Sequence, residues 1–430
     1  MIKYSFPCFW WNCIGNTCST LMKTTINVIK ECRACYSERL FNIISFGNLY
    51  LSDFSKTNKK PPKYPLALVL CQDCSLLQLK HTTPSSLLYT DNYGYRSGIN
   101  QTMRDHLKEI AEKSLNSSKK SKGKIIAVDI GANDGTLLKF YPKNIYKVAI
   151  EPIKKFAKEA KKYANVVIND FFNFESYNKY LPDKKADIIT AISCFYDIDN
   201  PNKFLHDIIK ILKDDGILVI QQNYLKSMLE QNAFDNVVHE HLEYYFLTSL
   251  QNLLKRHNLE VFDVELNQIN GGSFRTYICI KGKRPISKSV KNLLASEKKF
   301  NLDRKTVYKK FAKRVRENKN ILKKFITKEA KKGKKIYVYG ASTRGNTLLQ
   351  YFELNKKLIP YAVERNPEKW GAKIASIGIP IISEEQARKE KPDYMLVLPW
   401  FFKKEFLKRE SEYLKKGGHF IFPLPQFKII

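Results

Sequence analysis

The chain has 430 residues and a formal net charge of +32. Two or three domains are expected, because one hydrophobic core rarely serves a chain of this length. The sequence has no long apolar run, which excludes a transmembrane helix, and we expect a cytoplasmic monomer or homodimer with no membrane partner. The charge would suit nucleic acid, but scattered lysines are more typical of a solvated surface, and a basic surface also favours an anionic small-molecule substrate.

Residues 1–30 come before the first recognisable pattern of the chain. They contain tryptophans and cysteines, but no clean apolar segment followed by small residues, which a signal peptide requires. We expect a disordered extension here. Translation from an upstream start would leave Met22 as the functional first residue.

Residues 31–90 contain two Cys-x-x-Cys pairs, formed by Cys32, Cys35, Cys71 and Cys74. Each pair places two thiolates on one turn, and two such turns complete a tetrahedral site for Zn²⁺. A redox pair or four unrelated thiols are the alternatives, but redox chemistry needs one pair and usually a thioredoxin-like surround, which is absent. We predict a small module with structural zinc, with strands over 40–51 and 65–70.

A strand–turn–helix signal opens the central part of the chain. The apolar run Ile125–Ile130 is interrupted only by Asp129 and is followed by a turn with Gly131, Asn133 and Gly135. The run is typical of a buried parallel strand, and glycines let the main chain approach a ligand closely. The spacing resembles motif I of the class I S-adenosylmethionine methyltransferases, although an ordinary tight turn would share it. These four residues are predicted to contact the cofactor.

Further strands follow in alternation with helices. One strand ends in Glu151-Pro152 and the next in Asp170, and Glu151 lies about twenty residues beyond the first turn, as a ribose-binding acid should. Strands at 186–193 and 216–221, with a helix at 202–212 between them, predict a mostly parallel, doubly wound sheet within residues 91–284. Ligands bind beyond the carboxyl ends of such strands, so Glu151, Pro152 and Asp170 join the predicted cofactor site.

The last part of the chain predicts a separate module. Residues 285–332 are rich in lysine and carry apolar residues at helical spacing, which predicts a connecting amphipathic helix packed against the neighbouring domains. Residues 333–430 begin with a second strand–turn–helix unit, and we expect further strands at 359–364 and 394–399. A glycine turn with Ser342 at the helix start suits a phosphate or diphosphate. A purely structural Rossmann-like repeat would look the same.

Four more segments occur in one order with the zinc pairs and the glycine turn: Asp91–Gly98, Gln221–Tyr224, Asn236–Tyr245 and Gly271–Arg275. Together they resemble the sugar-nucleotide C-methyltransferases, which methylate a carbon of an NDP-4-keto-deoxyhexose and whose best-known members are 3-C-methyltransferases. The resemblance runs from Glu31 to the C terminus. It implies a zinc-binding module, a class I S-adenosylmethionine methyltransferase domain and a C-terminal Rossmann-like domain that carries the sugar nucleotide. The substrate contacts that it implies are Asn223, Arg275, Ser342, Arg344 and Asn346.

Methylation of carbon requires a carbon nucleophile. A 4-keto sugar provides one when a base removes the proton α to the carbonyl, and the resulting enolate then attacks the cofactor methyl group. A base with a pKa near neutrality favours histidine. The resemblance implies that His241, in a predicted helix-initiating segment, is this base and that Glu240 also lies in the active site. Both His239 and His241 could instead be half-buried structural histidines.

Two positions depart from the better-known members of this family. Val238 replaces a tyrosine just before His-Glu-His, and Asp197 replaces a histidine in the loop after the fourth strand. Tyr93, Tyr95, Tyr196 or Asp197 itself could supply the acid or oxyanion partner of the enolate. The alternative functions are methylation of another small molecule or of nucleic acid, and a noncatalytic zinc adaptor. The Asp/Asn-Pro-Pro-aromatic motif of amino-methylating DNA enzymes is absent.

Overall fold

The computed structural model describes residues 26–90, 93–118 and 123–430. Their strands form sheets of four, seven and eight strands and one two-stranded ribbon. Most of the extension predicted for residues 1–30, including Met22, lies outside the described residues. The predicted boundary at Glu31 is too late, because Asn27–Val28 already form a strand whose backbone pairs with His81–Thr82.

The N-terminal module is an antiparallel sheet with one short helix. Its elements are β1 (Asn27–Val28), β2 (Leu40–Tyr50), β3 (Phe54–Ser55), β4 (Lys63–Cys71), β5 (Leu77–Leu79), β6 (His81–Thr82) and α1 (Ser85–Leu88). β2 and β4 form the predicted hairpin, with Leu40 opposite Cys71 and Tyr50 opposite Lys63. This register returns the chain to its starting point and places the second cysteine pair beside the first.

The central domain alternates strands and helices. Its elements are α2 (Gln101–Ser117), β7 (Ile126–Ile130), α3 (Thr136–Lys139), β8 (Tyr146–Ile150), α4 (Lys154–Ala160), β9 (Val166–Ile168), α5 (Phe174–Tyr180), β10 (Ala186–Ile192), α6 (Pro201–Ile211), β11 (Leu212–Asn223), α7 (Leu225–Glu230), β12 (Glu243–Tyr244), α8 (Leu247–Lys255), β13 (Leu259–Asn267) and β14 (Ser273–Ile280). α6 begins where predicted, because the Asn200 side chain accepts a hydrogen bond from the Lys203 amide and Pro201 occupies the first turn.

The central sheet has the strand order β13-β14-β11-β10-β7-β8-β9. β9, β8, β7, β10 and β11 are parallel, and β14 runs antiparallel between β11 and β13. The carboxyl ends of β7, β8 and β10 therefore meet at one edge, where ligands of such sheets bind. The predicted doubly wound α/β fold is confirmed. Gly271 and Gly272 turn the chain between the two antiparallel strands β13 and β14.

The C-terminal part has two long helices and a second α/β sheet. Its elements are α9 (Lys288–Phe300), α10 (Lys305–Lys331), β15 (Ile336–Tyr339), α11 (Thr343–Tyr351), β16 (Ala362–Glu364), β17 (Lys373–Ile374), β18 (Ile379–Ser383), α12 (Glu384–Glu390), β19 (Tyr394–Val397), α13 (Lys403–Arg409), α14 (Ser411–Lys415), β20 (His419–Phe422) and β21 (Lys428–Ile429). The strand order is β21-β20-β19-β15-β16-β18-β17-β3, so this Rossmann-like sheet takes its last strand from the N-terminal module.

The connector predicted for 285–332 is two helices rather than one. Asn301 adopts a left-handed conformation with φ 58° and ends α9, which is a usual way to stop a helix. The apolar stripe of α10, which includes Phe311, Val315 and Leu322, is buried against the rest of the protein. Among the described residues, no helix is both long and apolar enough to cross a bilayer.

Candidate active site

The four predicted zinc ligands converge at one point of the N-terminal module. The Sγ atoms of Cys32 and Cys74 lie 3.6 Å apart, those of Cys35 and Cys71 lie 3.5 Å apart, and all four lie within 4.8 Å of one another. Four sulfurs bound to one Zn²⁺ at about 2.3 Å are spaced by roughly 3.8 Å. The cluster therefore has the dimensions of a closed tetrahedral thiolate site.

The two cysteine pairs have the same local structure. The amide of Tyr36 donates to the Cys32 carbonyl, the amide of Ser75 donates to the Cys71 carbonyl, and both Tyr36 and Ser75 have a positive φ. The Gln78 side-chain amide donates to the Cys32 sulfur at 3.1 Å. These turns aim each pair of thiols at the same point and supply a polar contact to one sulfur.

The charge of the cluster calls for a cation. The hydrogen bond with Cys71 raises the pKa of Cys32 to about 12, whereas hydrogen bonds from Cys32 and Cys74 lower the pKa of Cys71. One thiolate is thus stabilised by neighbours that keep their protons. Four thiolates at this spacing require a bound metal ion, which fits the chemistry of the donor set.

A cavity of about 580 Å³ lies at the carboxyl ends of the central strands. It is bordered by the glycine turn after β7, by the ends of β8 and β9, by the loop after β10 and by the end of the N-terminal module. All but one of the predicted cofactor residues line it: Asp129, Gly131, Asn133, Glu151, Pro152 and Asp170. These residues thus lie together on the ligand edge of the sheet.

Gly135 has a different place. It does not line the cavity, and a Cβ atom at this position would come within 2.9 Å of the Ala160 Cα. Its φ of 78° and this close approach explain why a glycine is needed here. Gly135 therefore serves the packing of the turn against α4, a role that the spacing of the motif alone could not distinguish from ligand contact.

The two acids at the ends of β7 and β8 are buried and hydrogen-bonded. The Thr190 hydroxyl donates to Asp129 Oδ1 at 2.6 Å, and burial raises the pKa of Asp129 to about 7. The amides of Asn133 and Ile153 donate to the two oxygens of Glu151, each at 2.8 Å. Burial also raises the pKa of Glu151. The carboxylate of Glu151 thus fixes the glycine turn relative to β8.

The segment before α2 covers the glycine turn. The Ser97 amide donates to Asn133 Oδ1 at 3.0 Å, and the Gly98 amide donates to Asp134 Oδ2 at 2.9 Å. Tyr93 and Tyr95 in this segment line the cavity. The predicted contact segment around these tyrosines therefore lies directly above the cofactor edge of the sheet.

Candidate proton-transfer groups line the same cavity on its other side. Burial raises the pKa of Glu240 to about 7 and holds the pKa of Asp197 well above its usual range. The Asp197 Oδ1 atom has no hydrogen-bond partner among the described residues, and the other contact of this carboxyl is with Tyr89. Glu240 and Asp197 are thus partly buried acids that line the same cavity as Asp129 and Glu151.

His241 lies beside this cavity and lines a separate small pocket together with Tyr196 and Asn223. Its Nδ1 donates to the Asn236 carbonyl at 2.9 Å, which leaves a lone pair on Nε2, and burial lowers its pKa to about 3. The predicted helix start at His241 is wrong, because His241 precedes β12, which pairs with β5 of the N-terminal module. α8 begins only at Leu247.

His239 has a structural environment. Its Nε2 donates to the Tyr64 carbonyl at 3.1 Å, the residue is 4% exposed, and burial lowers its pKa to about 4. A neutral histidine bonded to the N-terminal module fits the interpretation of this residue as a satisfied, buried side chain. The two histidines of the His-Glu-His segment therefore differ in their surroundings.

The residues predicted to bind substrate do not line the main cavity. The Asn223 side chain donates to Asn236 Oδ1 at 2.9 Å, and Asn346 Oδ1 accepts a hydrogen bond from Ser376 at 2.6 Å. Ser342 caps α11, with its hydroxyl accepting a hydrogen bond from the Gly345 amide at 3.1 Å. Each of these side chains is occupied by a contact within the protein.

The two predicted arginines are also engaged inside the protein. Arg275 is 1% exposed, donates to Gln221 Oε1 at 3.0 Å and pairs with Glu265 at 3.1 Å. Arg344 pairs with Asp235 at 2.8 Å and donates to the Asn270 carbonyl at 2.7 Å. Arg275 acts through Gln221, which lines the cavity, and Arg344 links α11 to the central domain.

Several residues that line the cavity were not predicted. They include Phe171, Cys194, Asp199, Lys203, Asp207 and Gln221. The cavity lining carries seven carboxyl groups, and Lys203, which is paired with Asp207 at 2.7 Å, is the one cation among its described residues. An acidic cavity in a chain of net charge +32 suits a cationic ligand such as a sulfonium, and its charge does not attract nucleic acid. In the sequence, only the positions of Asp170 and Asp199 after predicted strands indicated acidic residues on this side of the cavity.

Three family models match the chain in succession. They are a zinc binding domain at residues 32–89, a methyltransferase domain at 95–264 and a C-methyltransferase C-terminal domain at 268–425. The C-methyltransferase NovU of Streptomyces niveus is 26% identical to this chain over 416 residues, which cover 95% of the chain and 99% of that protein.

The solved structures that are similar to part of the chain include two methyltransferases. The plantazolicin methyltransferase BpumL in complex with SAH is 14% identical and covers 41% of this chain and 82% of its own, with a TM-score of 0.33. An S-adenosylmethionine-dependent methyltransferase from Clostridium acetobutylicum is 13% identical and covers 43% and 94%, also with a TM-score of 0.33.

Proposed function

Since this chain is an S-adenosylmethionine-dependent C-methyltransferase with a structural zinc domain, we propose that its acceptor is a keto-deoxysugar carried on a nucleotide. The observation that carries this proposal is the shared cavity. The acids of the cofactor edge, Asp129 and Glu151, line the same space as Glu240, Asp197 and Tyr93. A C-methyltransferase needs proton-transfer groups within reach of its methyl donor, because a carbon acid must lose a proton before it can be methylated.

In this proposal the cofactor side is formed by Asp129, Gly131, Glu151 and Asp170. Bound S-adenosylmethionine supplies an electrophilic methyl group on a sulfonium centre. Glu151 would accept hydrogen bonds from the ribose hydroxyls, as acids at the end of a second strand do. Gly131 has no side chain where the main chain meets the ligand.

His241 is the proposed base for the proton α to the acceptor carbonyl. Its tautomer supports this role, because the Asn236 carbonyl can only accept a hydrogen bond and therefore holds the proton on Nδ1. Nε2 is then free to take a proton. Glu240 is the second candidate, since it lines the main cavity and burial raises its pKa to about 7, close to the value expected of a base at neutral pH.

Asp197 is the proposed partner of the enolate oxygen. Burial raises the pKa of the Asp197 carboxyl well above its usual range, and in its protonated form this carboxyl can donate a hydrogen bond to a developing oxyanion. Tyr93 and Tyr95 line the cavity and offer phenol groups for the same purpose. An aspartic acid can thus replace the histidine that better-known members of the family have at this position.

The nucleotide of the acceptor is proposed to lie against the glycine turn of the C-terminal domain. Ser342, Arg344 and Asn346 belong to this turn and to the start of α11. Arg344 now pairs with Asp235 and would pair with the diphosphate instead when the acceptor binds. The carboxylate and the diphosphate are both oxyanions that suit a guanidinium group. Asn223 and Arg275 would support the sugar from the opposite side, Arg275 through Gln221.

The proposal is tested by incubating the protein and S-adenosylmethionine with a panel of nucleoside-diphosphate 4-keto-deoxyhexoses and analysing the products by mass spectrometry. We expect a product in which a methyl group replaces a hydrogen, heavier by one CH2 unit, with the methyl on a carbon next to the carbonyl. Methylation of a small molecule without a nucleotide, or of nucleic acid, would contradict the proposed acceptor. Samples without acceptor and a Glu151→Ala variant serve as controls.

A further inference from the structure

Arg33 lies inside the first cysteine pair, and its side chain extends from the metal site to the central domain. The side chain is 3% exposed, and its Nε donates to Asp199 Oδ1 at 3.0 Å. Its two terminal nitrogens donate to Thr82 Oγ1 at 2.8 Å and to the Leu79 carbonyl at 2.7 Å. Every nitrogen of the guanidinium group is thus used, in a fork that a lysine cannot reproduce.

The partners of Arg33 belong to the cavity wall. Asp199 and Thr82 both line the cavity, and the Thr82 hydroxyl donates to the same Asp199 oxygen at 2.8 Å. The Asp199 side chain is 51% exposed, so it would be free to move without the hydrogen bonds from Arg33 and Thr82. The closed triangle of Arg33, Asp199 and Thr82 therefore joins the loop after β10 to the end of the N-terminal module.

The backbone of the cysteine pairs is attached to the central domain as well. The Asn202 side chain, at the start of α6, donates to the carbonyls of Arg33 at 2.8 Å and Ala34 at 3.1 Å. The Asn252 side chain donates to the Cys74 carbonyl at 3.4 Å. The zinc turns are thus connected to the central domain at Asp199, at the start of α6 and at α8.

We infer that Arg33 is a positioning residue that holds the 195–200 loop and the 82–85 segment in place. These two segments form the acceptor side of the cavity. The four cysteine sulfurs fix the turn that carries Arg33, so metal binding also determines the position of Asp197, two residues before Asp199. This inference concerns the shape of the methyltransferase cavity and does not depend on which acceptor it takes.

The test compares Arg33→Lys and Asp199→Asn with a matched control in the zinc-loaded full chain. Arg39→Lys is the control, because Arg39 pairs with Asp73 of the second cysteine pair at 2.7 Å on the exposed side of the module. Zinc content should stay at one ion per chain in all three variants. Amide hydrogen exchange over 195–201 should rise roughly tenfold in the first two, as loss of a charge-assisted hydrogen bond predicts, and stay unchanged in Arg39→Lys.

Two further measurements separate positioning from general stability. The Arg33→Lys/Asp199→Asn double variant should exchange no faster over 195–201 than either single variant, since both break the same contact. Removal of zinc from the wild-type protein by a chelator should raise exchange over the same residues. With the 4-keto sugar of the panel that turns over, kcat/KM should fall by about tenfold, because the displaced loop carries Asp197 as well as part of the acceptor side of the cavity.

The inference is overturned if Asp199→Asn retains zinc and leaves exchange over 195–201 at the wild-type rate. It is also overturned if exchange rises evenly over the whole chain with a lower melting temperature, because that result indicates a merely structural contact. Asp199→Asn does not alter the cysteine pairs, so its result holds even where Arg33→Lys weakens metal binding.

Discussion

Two strand–turn–helix units of this chain share one backbone plan. In the central unit the Asn133 amide donates to Glu151 Oε2 at 2.8 Å, and in the C-terminal unit the Ala341 amide donates to Glu364 Oε2 at 2.9 Å. In both units the second carboxylate oxygen accepts a hydrogen bond from the amide two residues further on. A strand, a glycine turn, a helix and a second strand ending in glutamate therefore occur twice.

The two units differ in what lies in front of the turn. The central turn opens on the cavity of about 580 Å³, whereas the C-terminal turn does not line this cavity. Lys369 donates to the Ala341 carbonyl at 2.8 Å, and a Cβ on Gly340 would come within 2.7 Å of the Pro399 ring. The local motif thus fixes the backbone of a turn, while the surrounding chain decides which space the turn borders.

The largest expected effect tests whether the central cavity depends on the N-terminal module. Cys71→Ser should lose zinc and raise amide exchange over 40–90, including the cavity wall, while exchange over 394–422 stays unchanged. Zinc–thiolate bonds supply on the order of 10 kcal/mol of folding free energy in small modules. Metal analysis and exchange mass spectrometry measure both results. Cys194→Ser is the control and should keep its zinc; full metal retention in Cys35→Ser and Cys71→Ser would contradict the site.

The next effect concerns the chemistry that only the central unit should perform. His241→Ala should bind both ligands but lose methyl transfer, and α-proton exchange into deuterated water with an unreactive cofactor analogue, by at least ~10²-fold. At saturating acceptor, Glu364→Gln should change neither rate, because Glu364 holds the backbone of the C-terminal turn and does not line the cavity.

The pH profile of this proton exchange identifies the base. A base works in its deprotonated form. With Glu240, whose pKa burial raises to about 7, the rate should rise as pH increases through 7 and then level off. With His241, whose pKa burial lowers to about 3, it should stay flat from pH 5 upward. Exchange at the wild-type rate in His241→Ala, but not in Glu240→Gln, would assign the base to Glu240.

The sequence was informative where the signal was local. The run before Gly131 and the strands that end at Glu151 and Asp170 follow from periodicity, and the cysteine spacing predicts a four-sulfur cluster. These features depend on neighbours in the chain. The break between α9 and α10 could not be predicted from the sequence, because an asparagine such as Asn301 can occur inside a helix or end one.

The rest of the site depends on contacts between distant segments. No local pattern shows that Arg275 pairs with Glu265 and donates a hydrogen bond to Gln221, or that His241 lies in a pocket beside the main cavity. The role of Arg33 rests on Asp199, which lies far along the chain. Side chains of this kind acquire their partners only when sheets from different domains meet.

A smaller effect is expected from alanine substitutions of the two glutamates, Glu151 and Glu364. Glu151→Ala should weaken binding of S-adenosylmethionine by about 10- to 100-fold, since it removes a charged acceptor at the ligand edge and loosens the glycine turn. Glu364→Ala should leave this affinity within about twofold, because its turn lies outside the cavity that the cofactor residues line. Titration calorimetry measures both, with zinc content as a check on folding. Equal affinities for wild type and Glu151→Ala would show that the cofactor edge is misassigned.

The smallest effect is expected from alanine substitutions of the two turn glycines, Gly131 and Gly340. Gly131 and Gly340 have φ values of 69° and 89°, so alanine at either position costs roughly 1–2 kcal/mol of stability. In Gly340→Ala the Cβ also meets the rigid Pro399 ring at 2.7 Å, whereas in Gly131→Ala it meets the Cys194 side chain at 3.1 Å. Gly340→Ala should therefore lower the melting temperature more, and only Gly131→Ala should weaken cofactor binding.

A second substitution separates strain from blocked space in the central turn. Cys194→Ala removes the sulfur that the new Cβ meets at 3.2 Å, so Gly131→Ala/Cys194→Ala should recover part of the lost thermal stability. Cofactor affinity should stay low in this double variant, because the methyl group still projects beside the ligand edge. Recovery of both quantities would mean that Gly131 matters only for packing against Cys194. The central turn would then resemble the C-terminal one, and the difference between the two units would have to come from the acids alone.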